Sequence, residues 1–449
     1  MFNKVVVANR GAVAARVLRA LNEMGIRSVA LYSEADAGAP YLAMASETHA
    51  IGPAPARESY LNQDALIAVL KKSGADGLHP GYGFLSENAG FAQKVMDAGA
   101  RFIGPTPRWI EAMGHKTRAR ELAASHGMPM SKGSGVLPAD AEATLAAARA
   151  IGFPVLVKPA GGGGGIGMLP AKSEAELLAA VERSRSMADR GFGNAEVYLE
   201  KLMERPRHVE FQVLGDAHGN LAHLFERDCS TQRRNQKVIE EAPAPGLSRA
   251  AAGAAAEKIA AVVRKMGYDN IGTVEMLMGA DGEFNFLEMN TRLQVEHGVT
   301  EEVTGVDLVK AQIRSSAGEK LAAVLPAKIE TKGHSIQARV YAEDPKNFFP
   351  SPGNLKVFRP PQDASVRVET GYAEGRDVTP HYDPMIAKVI VRADTREQAI
   401  DRLAQALEAF EIQGPKNNIP AVLAILRSEP FRAGRVHTGL IAEVLAKKN

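Results

Sequence analysis

Cysteine occurs once in this chain of 449 residues, at position 229. One thiol excludes an intrachain disulfide framework and any zinc cluster built from cysteines, and a lone free cysteine reads first as a small packed residue. Neither sign of charge is in excess. The 54 basic and 52 acidic residues are interspersed and leave a formal net charge of +2, so no broad field favours nucleic acid or an anionic membrane. Long apolar runs are missing too. The opening run stops at Asn9 and Arg10, too short for a secretory signal, and no later stretch approaches the roughly 18 apolar residues that mark a membrane helix. The expectation is a cytoplasmic protein without nucleic-acid or membrane partners. Aromatic residues are scarce at 6%, but with 45% hydrophobic and 24% charged residues the composition excludes disorder and fibres.

The length predicts two to four packed units. From Val5 to about Gly104, β-rich runs such as Lys4 to Ala8 and Ser28 to Tyr32 alternate with helical patterns such as Val13 to Met24, the grammar of a parallel sheet. Glu34 or Asp36 after the second strand invites a dinucleotide reading. The first turn, Asn9-Arg10-Gly11-Ala12-Val13, has no G-x-G-x-x-G and argues against it. A second region opens near His115 and holds a five-glycine run, charged strands and an Ala-rich helix from about Ser248 to Met266. A third, from about Gly333, shows strands at Ser335 to Tyr341 and Met385 to Arg392 and helices at Arg396 to Phe410 and Ile419 to Arg427.

Paired carboxylates carry the strongest local signal. Asp281-Gly282 is a favoured two-residue hairpin turn between apolar runs. If Ala280 pairs with Glu283, counting outward sets Glu275 opposite Glu288, with Cβ atoms roughly 4.5 to 5.5 Å apart. Two acids so placed repel unless a cation lies between them. Asn290 continues that face, and oxygen donors without His or Cys favour Mg²⁺ or Mn²⁺ over zinc. If the chain stays extended, Glu288, Asn290, Arg292, Gln294 and Glu296 project to one side and Met289, Leu293 and Val295 to the other. Arg292 and Gln294 would cradle an anion, and Glu296 beside Arg292 would take its proton. The alternative is a solvated sheet face.

Pro154 to Ala160 reads as a strand that delivers Lys158 to a loop of five glycines, 161 to 165. Backbone N–H groups in such a loop can cradle phosphates, although no Gly-Lys-Ser/Thr ends it as in a Walker loop. Ordering five glycines is entropically costly, which suits a lid that closes over nucleotide. Lys116 and Lys237, taken singly, read as surface lysines.

Six motifs in order, VVANRG at Val6 to Gly11, HPGYGFLSEN at His79 to Asn88, KPAGGGGGIGM at Lys158 to Met168, RPRHVEFQV at Arg205 to Val213, ERDCSTQRRNQK at Glu226 to Lys237 and FLEMNTRLQVEH at Phe286 to His297, resemble biotin carboxylase along essentially the whole chain. The resemblance implies an α/β (α+β) ATP-grasp fold: a Rossmann-like domain over 1–114, an ATP-grasp domain over 115–332 with a small lid at about 131–204, and a β-rich C-terminal domain over 333–449. It implies ATP, Mg²⁺ (or Mn²⁺), bicarbonate and biotin as reactants and cofactors. Lys116, Lys158, Gly163, Gly164, Gly165, His208, Gln232 and Lys237 would contact nucleotide, with Glu200 and Leu202 beside the adenine. Glu275, Glu288 and Asn290 would hold the metal. Arg292, Gln294 and Val295 would bind bicarbonate, Glu296 would be the base, Arg339 would stabilise the biotin enolate, and Tyr82 would lie near the biotin ring.

Some positions depart from the family pattern. Asn235 stands where most acyl-CoA members have His, His115 where many have an acid, and Gly298 where Pro is common. The forms RRNQKVIEE, GGGGGIGM, NFFPSPG and YDPM look more like the biotin carboxylase portion of urea carboxylases. No biotin-attachment motif occurs, so a biotin carboxyl carrier protein and a carboxyltransferase are expected on other chains, and the final acceptor stays open. Arg16, Arg19 and Glu23 match positions of the family's homodimer interface, or form an ordinary exposed helix face. The competing readings are another ATP-grasp carboxylate ligase and a non-catalytic nucleotide-binding subunit.

Overall fold

In the computed structural model, which describes residues 1–161 and 166–446, the expected alternation closes a parallel sheet. Its strands are β1 (Lys4–Val7), β2 (Arg27–Tyr32), β3 (Glu47–Ala50), β4 (Gly77–His79) and β5 (Arg101–Phe102), in the order β3-β2-β1-β4-β5. All four residues of β1 are buried, as a strand covered on both faces requires. Helix Gly11–Glu23 buries Val13, Val17, Leu18 and Leu21, the i, i+4 stripe of an amphipathic helix. Asp36, the acid that invited a dinucleotide reading, accepts from Arg10 Nε at 2.7 Å and from Tyr60. It is spent on the protein itself.

A smaller antiparallel sheet follows, of β6 (Gly133–Val136), β7 (Val155–Pro159), β8 (Leu169–Ala171) and β9 (Val197–Lys201), ordered β6-β9-β7-β8. Val155, Val157, Val197 and Leu199 pack with residues of helices Ala141–Ile151 and Glu174–Phe192 into their own core. Gly163, Gly164 and Gly165, expected to touch phosphate, lie outside the described residues.

The largest sheet has eight antiparallel strands. It runs β14 (Phe284–Asn290), β13 (Ile271–Met278), β10 (Arg207–Gly215), β11 (Leu221–Arg233), β12 (Gln236–Ala242) and β15 (His334–Tyr341), then strands Met385–Ala393 and Val366–Glu369. β12 pairs with β15, so one sheet continues through the position near Gly333 where the sequence changes character. The expected Ala-rich helix spans Arg249–Met266, capped by Ser248. It packs Ala256, Ile259, Ala260 and Val263 on Val209, Phe211 and Val213 of β10. C-terminal and N-terminal parts meet where a Cβ added to Gly371 would lie 2.3 Å from Gly11 Cα, an approach that only glycine permits. Among the described residues, no helix is long and apolar enough to cross a membrane.

Candidate active site

One face of the eight-stranded sheet collects charge because its strands alternate. Along β10, Val209, Phe211 and Val213 enter the core, which turns His208, Glu210 and Gln212 to the opposite face. Glu210 stands across from Glu275 on β13, and Glu275 across from Glu288 on β14. Neighbouring β12 supplies Lys237 and Glu240, and β15 supplies Arg339.

The predicted facing of Glu275 and Glu288 holds, but the count that gave it does not. Gly279 N donates to Glu283 O at 3.2 Å and Gly282 takes φ +81°, so the loop has three residues, 280–282, with Gly282 in the left-handed position such loops favour. That shifts the register by one. A bulge between Glu275 and Met276 restores it, with Leu287 as the extra residue. Leu287 and Glu288 consequently line the same cavity, because a bulge sets consecutive side chains on one side.

The extended row predicted beyond β14 is also corrected. The strand stops at Asn290 and helix His297–Thr304 begins after Glu296. The intervening turn still presents Arg292 and Gln294 to the cavity, and it presents Val295 there too, not on the opposite side. Arg292 donates to Asn290 Oδ1 at 2.9 Å, to Gln294 Oε1 at 3.2 Å and to Glu87 Oε2 at 2.8 Å. Glu296 does not pair with Arg292. It accepts from Lys237 Nζ at 2.6 Å and from Arg339 Nη2 at 3.0 Å, because the helix start turns its carboxylate toward β12 and β15.

Lys237 is the hub. Its ammonium also donates to Glu210 at 2.6 Å and Glu275 at 2.8 Å, and Arg339 also donates to Glu240 at 2.5 Å. Fully buried Arg227 donates to Glu210, Gln212 and Thr300. Burial opposes charge on Lys237, but Glu210, Glu275 and Glu296 outweigh it and hold the ammonium well above its ordinary range. Burial pushes the Glu296 carboxyl up, and Lys237, Arg339 and Arg227 overcome that and leave it below the usual carboxylate range. Glu275 is likewise held down by Lys237 and His208 against its burial. Lys237, Glu275 and Glu296 are therefore ionised at neutral pH, whereas burial pushes the neighbouring Glu240 carboxyl up against the pull of Arg339.

A cavity of about 570 Å³ opens on this cluster. Lys116, Lys158, Glu200, Leu202, His208, Gln232, Lys237, Glu275, Glu288, Asn290, Arg292, Gln294, Val295 and Arg339 all line it. Glu296 lies beneath, bonded to two of them. At the end toward β7, Lys158 is 1% exposed and donates to Glu200 at 2.8 Å, while Lys116 stands 3.5 Å from Glu288. His208 bridges Gln232 at 2.7 Å and Glu275 at 2.9 Å. Tyr82 lines an adjoining cavity of about 340 Å³ whose walls share Arg292, Val295 and Arg339 with the first. Glu275, Glu288 and Asn290 offer only oxygen donors into one cavity, a set that fits Mg²⁺.

Glu87, Glu210, Arg227 and Glu240 were not singled out from the sequence. Alternation along RHVEFQV is the signal that would have found Glu210, two residues from His208 on one strand face. Arg227 and Glu240 depend on strand neighbours remote in the chain, and Glu87 reaches Arg292 from a turn beyond β4. The departures have plain settings. Asn235 takes φ +66° in the β11–β12 turn, which asparagine tolerates. His115 pairs with Glu196 at 3.0 Å, and a Cβ at Gly298 would meet Ile390 Cδ1 at 2.5 Å. Arg16 is buried among Glu301, Asp307 and Glu369, not on an exposed helix face.

Cys229 is fully buried with Sγ 3.9 Å from Glu296. Burial, then Glu210, pushes the thiol well above its ordinary range, so it stays protonated and inert at neutral pH. A disulfide reagent at pH 8 is expected to leave the native protein unlabelled and to titrate this single thiol only after denaturation. Rapid labelling of the native protein would contradict that burial.

Three family descriptions match the chain: Biotin carboxylase, N-terminal domain, over residues 1–110; Carbamoyl-phosphate synthase L chain, ATP binding domain, over 115–324; and Biotin carboxylase C-terminal domain over 337–443. The chain is 46% identical over 448 residues to a biotin carboxylase of Halalkalibacterium halodurans, covering 100% of this chain and 99% of that one. It is also 46% identical over 448 residues to a pyruvate carboxylase subunit of Methanothermobacter thermautotrophicus, covering 99% and 90%. Equal identity to the two leaves the carboxyl acceptor open. The biotin carboxylase domain dimer of the Hydrogenobacter thermophilus 2-oxoglutarate carboxylase, in complex with MgADP, ADP and bicarbonate, superposes with TM-score 0.95 at 43% identity, covering 99% of each chain.

Proposed function

The chain belongs to the biotin carboxylase family, and from that premise we propose how its two adjoining cavities divide the work. The enzyme has the ATP-grasp fold and catalyses ATP- and bicarbonate-dependent carboxylation of biotin. In our reading the larger cavity holds nucleotide and bicarbonate and the smaller one holds the biotin ring beside Tyr82. The observation that carries this assignment is Arg339, which lines both cavities and is ion-paired to Glu296 between them.

Lys116, Lys158, His208, Gln232 and Lys237 place the triphosphate, with Glu200 and Leu202 at the adenine. Glu275, Glu288 and Asn290 hold Mg²⁺, which when bound neutralises charge developing on the phosphate oxygens. Arg292, Gln294 and the Val295 backbone orient bicarbonate. Lys237 at present suppresses the basicity of Glu296. As its ammonium turns toward the transferring phosphoryl group, Glu296 regains proton affinity and takes the bicarbonate proton. The freed oxygen attacks the γ-phosphorus, the bond to ADP breaks, and carboxyphosphate forms. Carboxyphosphate separates into CO₂ and phosphate, phosphate removes the N1 proton of biotin, and the enolate beside Arg339 captures CO₂.

Purified protein is expected to hydrolyse ATP with Mg²⁺ only when bicarbonate and free biotin are both supplied, and EDTA is expected to stop it. Turnover indifferent to both additions would overturn the assignment. For the final acceptor we favour the urea carboxylase type on the motif forms around Arg233, Gly161 and Phe348. The biotinylated carrier and the carboxyltransferase come on other chains, in a cytoplasmic assembly built on a homodimer. Transfer to urea or guanidine, compared with acyl-CoA, in the presence of those partners separates the acceptor types.

A further inference from the structure

A further cavity, of about 690 Å³, lies apart from the two that carry this chemistry. It lies at the opposite ends of β10 and β13, in the seam between edge strand β5, the turn after Gly215, the loop Gly267–Asn270 and the end of helix Leu308–Ser316. Two guanidiniums stand on it. Arg101 reaches only the Ser316 carbonyl at 3.2 Å, and Arg108 only the Gly267 carbonyl at 3.2 Å. Among the described residues, neither has a carboxylate within 4.0 Å.

The two acids that line the cavity are already satisfied. Asp216 accepts from the backbone of His218, Asn220 and Leu321 and from the Asn220 amide. Asp269 accepts from Thr106 N and Oγ1. Neither acid lies within ion-pair distance of Arg101 or Arg108, so both guanidiniums stay available to a bound anion. Asn270, 3% exposed, donates to Ser316 Oγ at 3.0 Å while its own Oδ1 has no donor, and buried acceptors ordinarily find one. Met96, 44% exposed, and buried Phe102 supply apolar wall.

We propose that this seam binds a small molecule that carries a carboxylate or phosphate and also a hydroxyl or amine donor, at a site separate from the nucleotide cleft. Two planar forks suit an oxyanion, the orphaned amide oxygen takes the donor, and the volume lies in the range of small-molecule sites. The site rests on its own geometry and does not depend on the roles assigned in the cleft.

The chain's single tryptophan makes the test specific. Trp109 donates to the Gly267 carbonyl at 3.1 Å, and the Arg108 guanidinium lies 4.9 Å from its ring, so movement of Arg108 toward an anion changes its emission. Titration with inorganic phosphate and with citrate, against chloride at matched ionic strength, is expected to give a saturable change in Trp109 fluorescence with at least one probe. Whichever probe acts identifies the oxyanion. Arg101→Gln and Arg108→Gln each weaken apparent affinity about tenfold or more, the Lys variants fall between, and basal ATP hydrolysis is unchanged. Arg292→Ala, in the cleft, leaves the fluorescence response intact. No saturable response to either probe, an equal response in the Arg101→Gln/Arg108→Gln double variant, or loss of the response in Arg292→Ala would overturn the proposal.

Discussion

Replacing Glu296 with Gln lowers bicarbonate- and biotin-dependent ATP hydrolysis by about a thousandfold, within the ~10²–10⁴ that a positioned proton acceptor contributes. The amide has nearly the shape of the carboxylate, so substrate sites are preserved and the loss falls on kcat, with KM for ATP little changed. What disappears is the charge between Lys237 at 2.6 Å and Arg339 at 3.0 Å, and with it any capacity to accept a proton. Stability falls less than removal of a buried ion normally implies. Lys237 keeps Glu210 and Glu275, and Arg339 keeps Glu240, so the cost is about 1–3 kcal/mol rather than the ~3–5 of a fully orphaned partner. Steady-state kinetics and thermal unfolding of the same preparation check both parts. A variant with near-normal kcat would remove Glu296 from the chemistry.

The second large effect is expected from Lys237→Met. It leaves Glu210, Glu275 and Glu296 facing one another without the ammonium that now binds all three. Activity is abolished, and stability near neutral pH drops by about 3–5 kcal/mol, the cost of stranding buried charge. The pH dependence distinguishes this from simple loss of packing. In the parent protein the Glu275 and Glu296 carboxyls are held below the usual range. Their contribution to stability is present above the unfolded carboxylate pKa and is lost only as pH falls through the lower folded values. Without Lys237, burial and mutual repulsion push those carboxyls up. The variant then loses stability as pH rises from the unfolded value through the raised folded ones. The difference in melting temperature between parent and variant therefore widens from pH 5 to pH 8. A constant difference across that interval would mean that Lys237 serves packing and not charge.

How much of this could be read from the chain depended on the range of the contacts. Period-two and period-3.6 patterns placed β1, β2, β15 and helix Arg249–Met266 within a residue or so, because strand and helix faces are local properties. Glu275, Glu288 and Asn290 also reached one cavity as expected. What escaped was pairing across the sheet. Glu240 meets Arg339 and Arg227 meets Glu210 only because β12 lies against β15 and β10 against β11. No spacing along the chain encodes those neighbours. Glu296 sat in the right cluster for the wrong reason: the strand predicted to deliver it ends at Asn290, and a helix start sets its carboxylate on Lys237.

The β13–β14 hairpin carries two irregularities: a third residue in its turn and an extra Leu287 opposite Glu275. The bulge, not the turn, is what sets the acids face to face. Deleting Ala280 leaves a two-residue turn between the same Gly279 and Glu283 pair and keeps Glu275 opposite Glu288, whereas a regular ladder beyond Met276 and Phe286 sets Leu287 opposite Glu275 and turns Glu288 to the other side. Chimeras between related enzymes must therefore preserve the bulge at Leu287, while the turn can change length without moving the cleft.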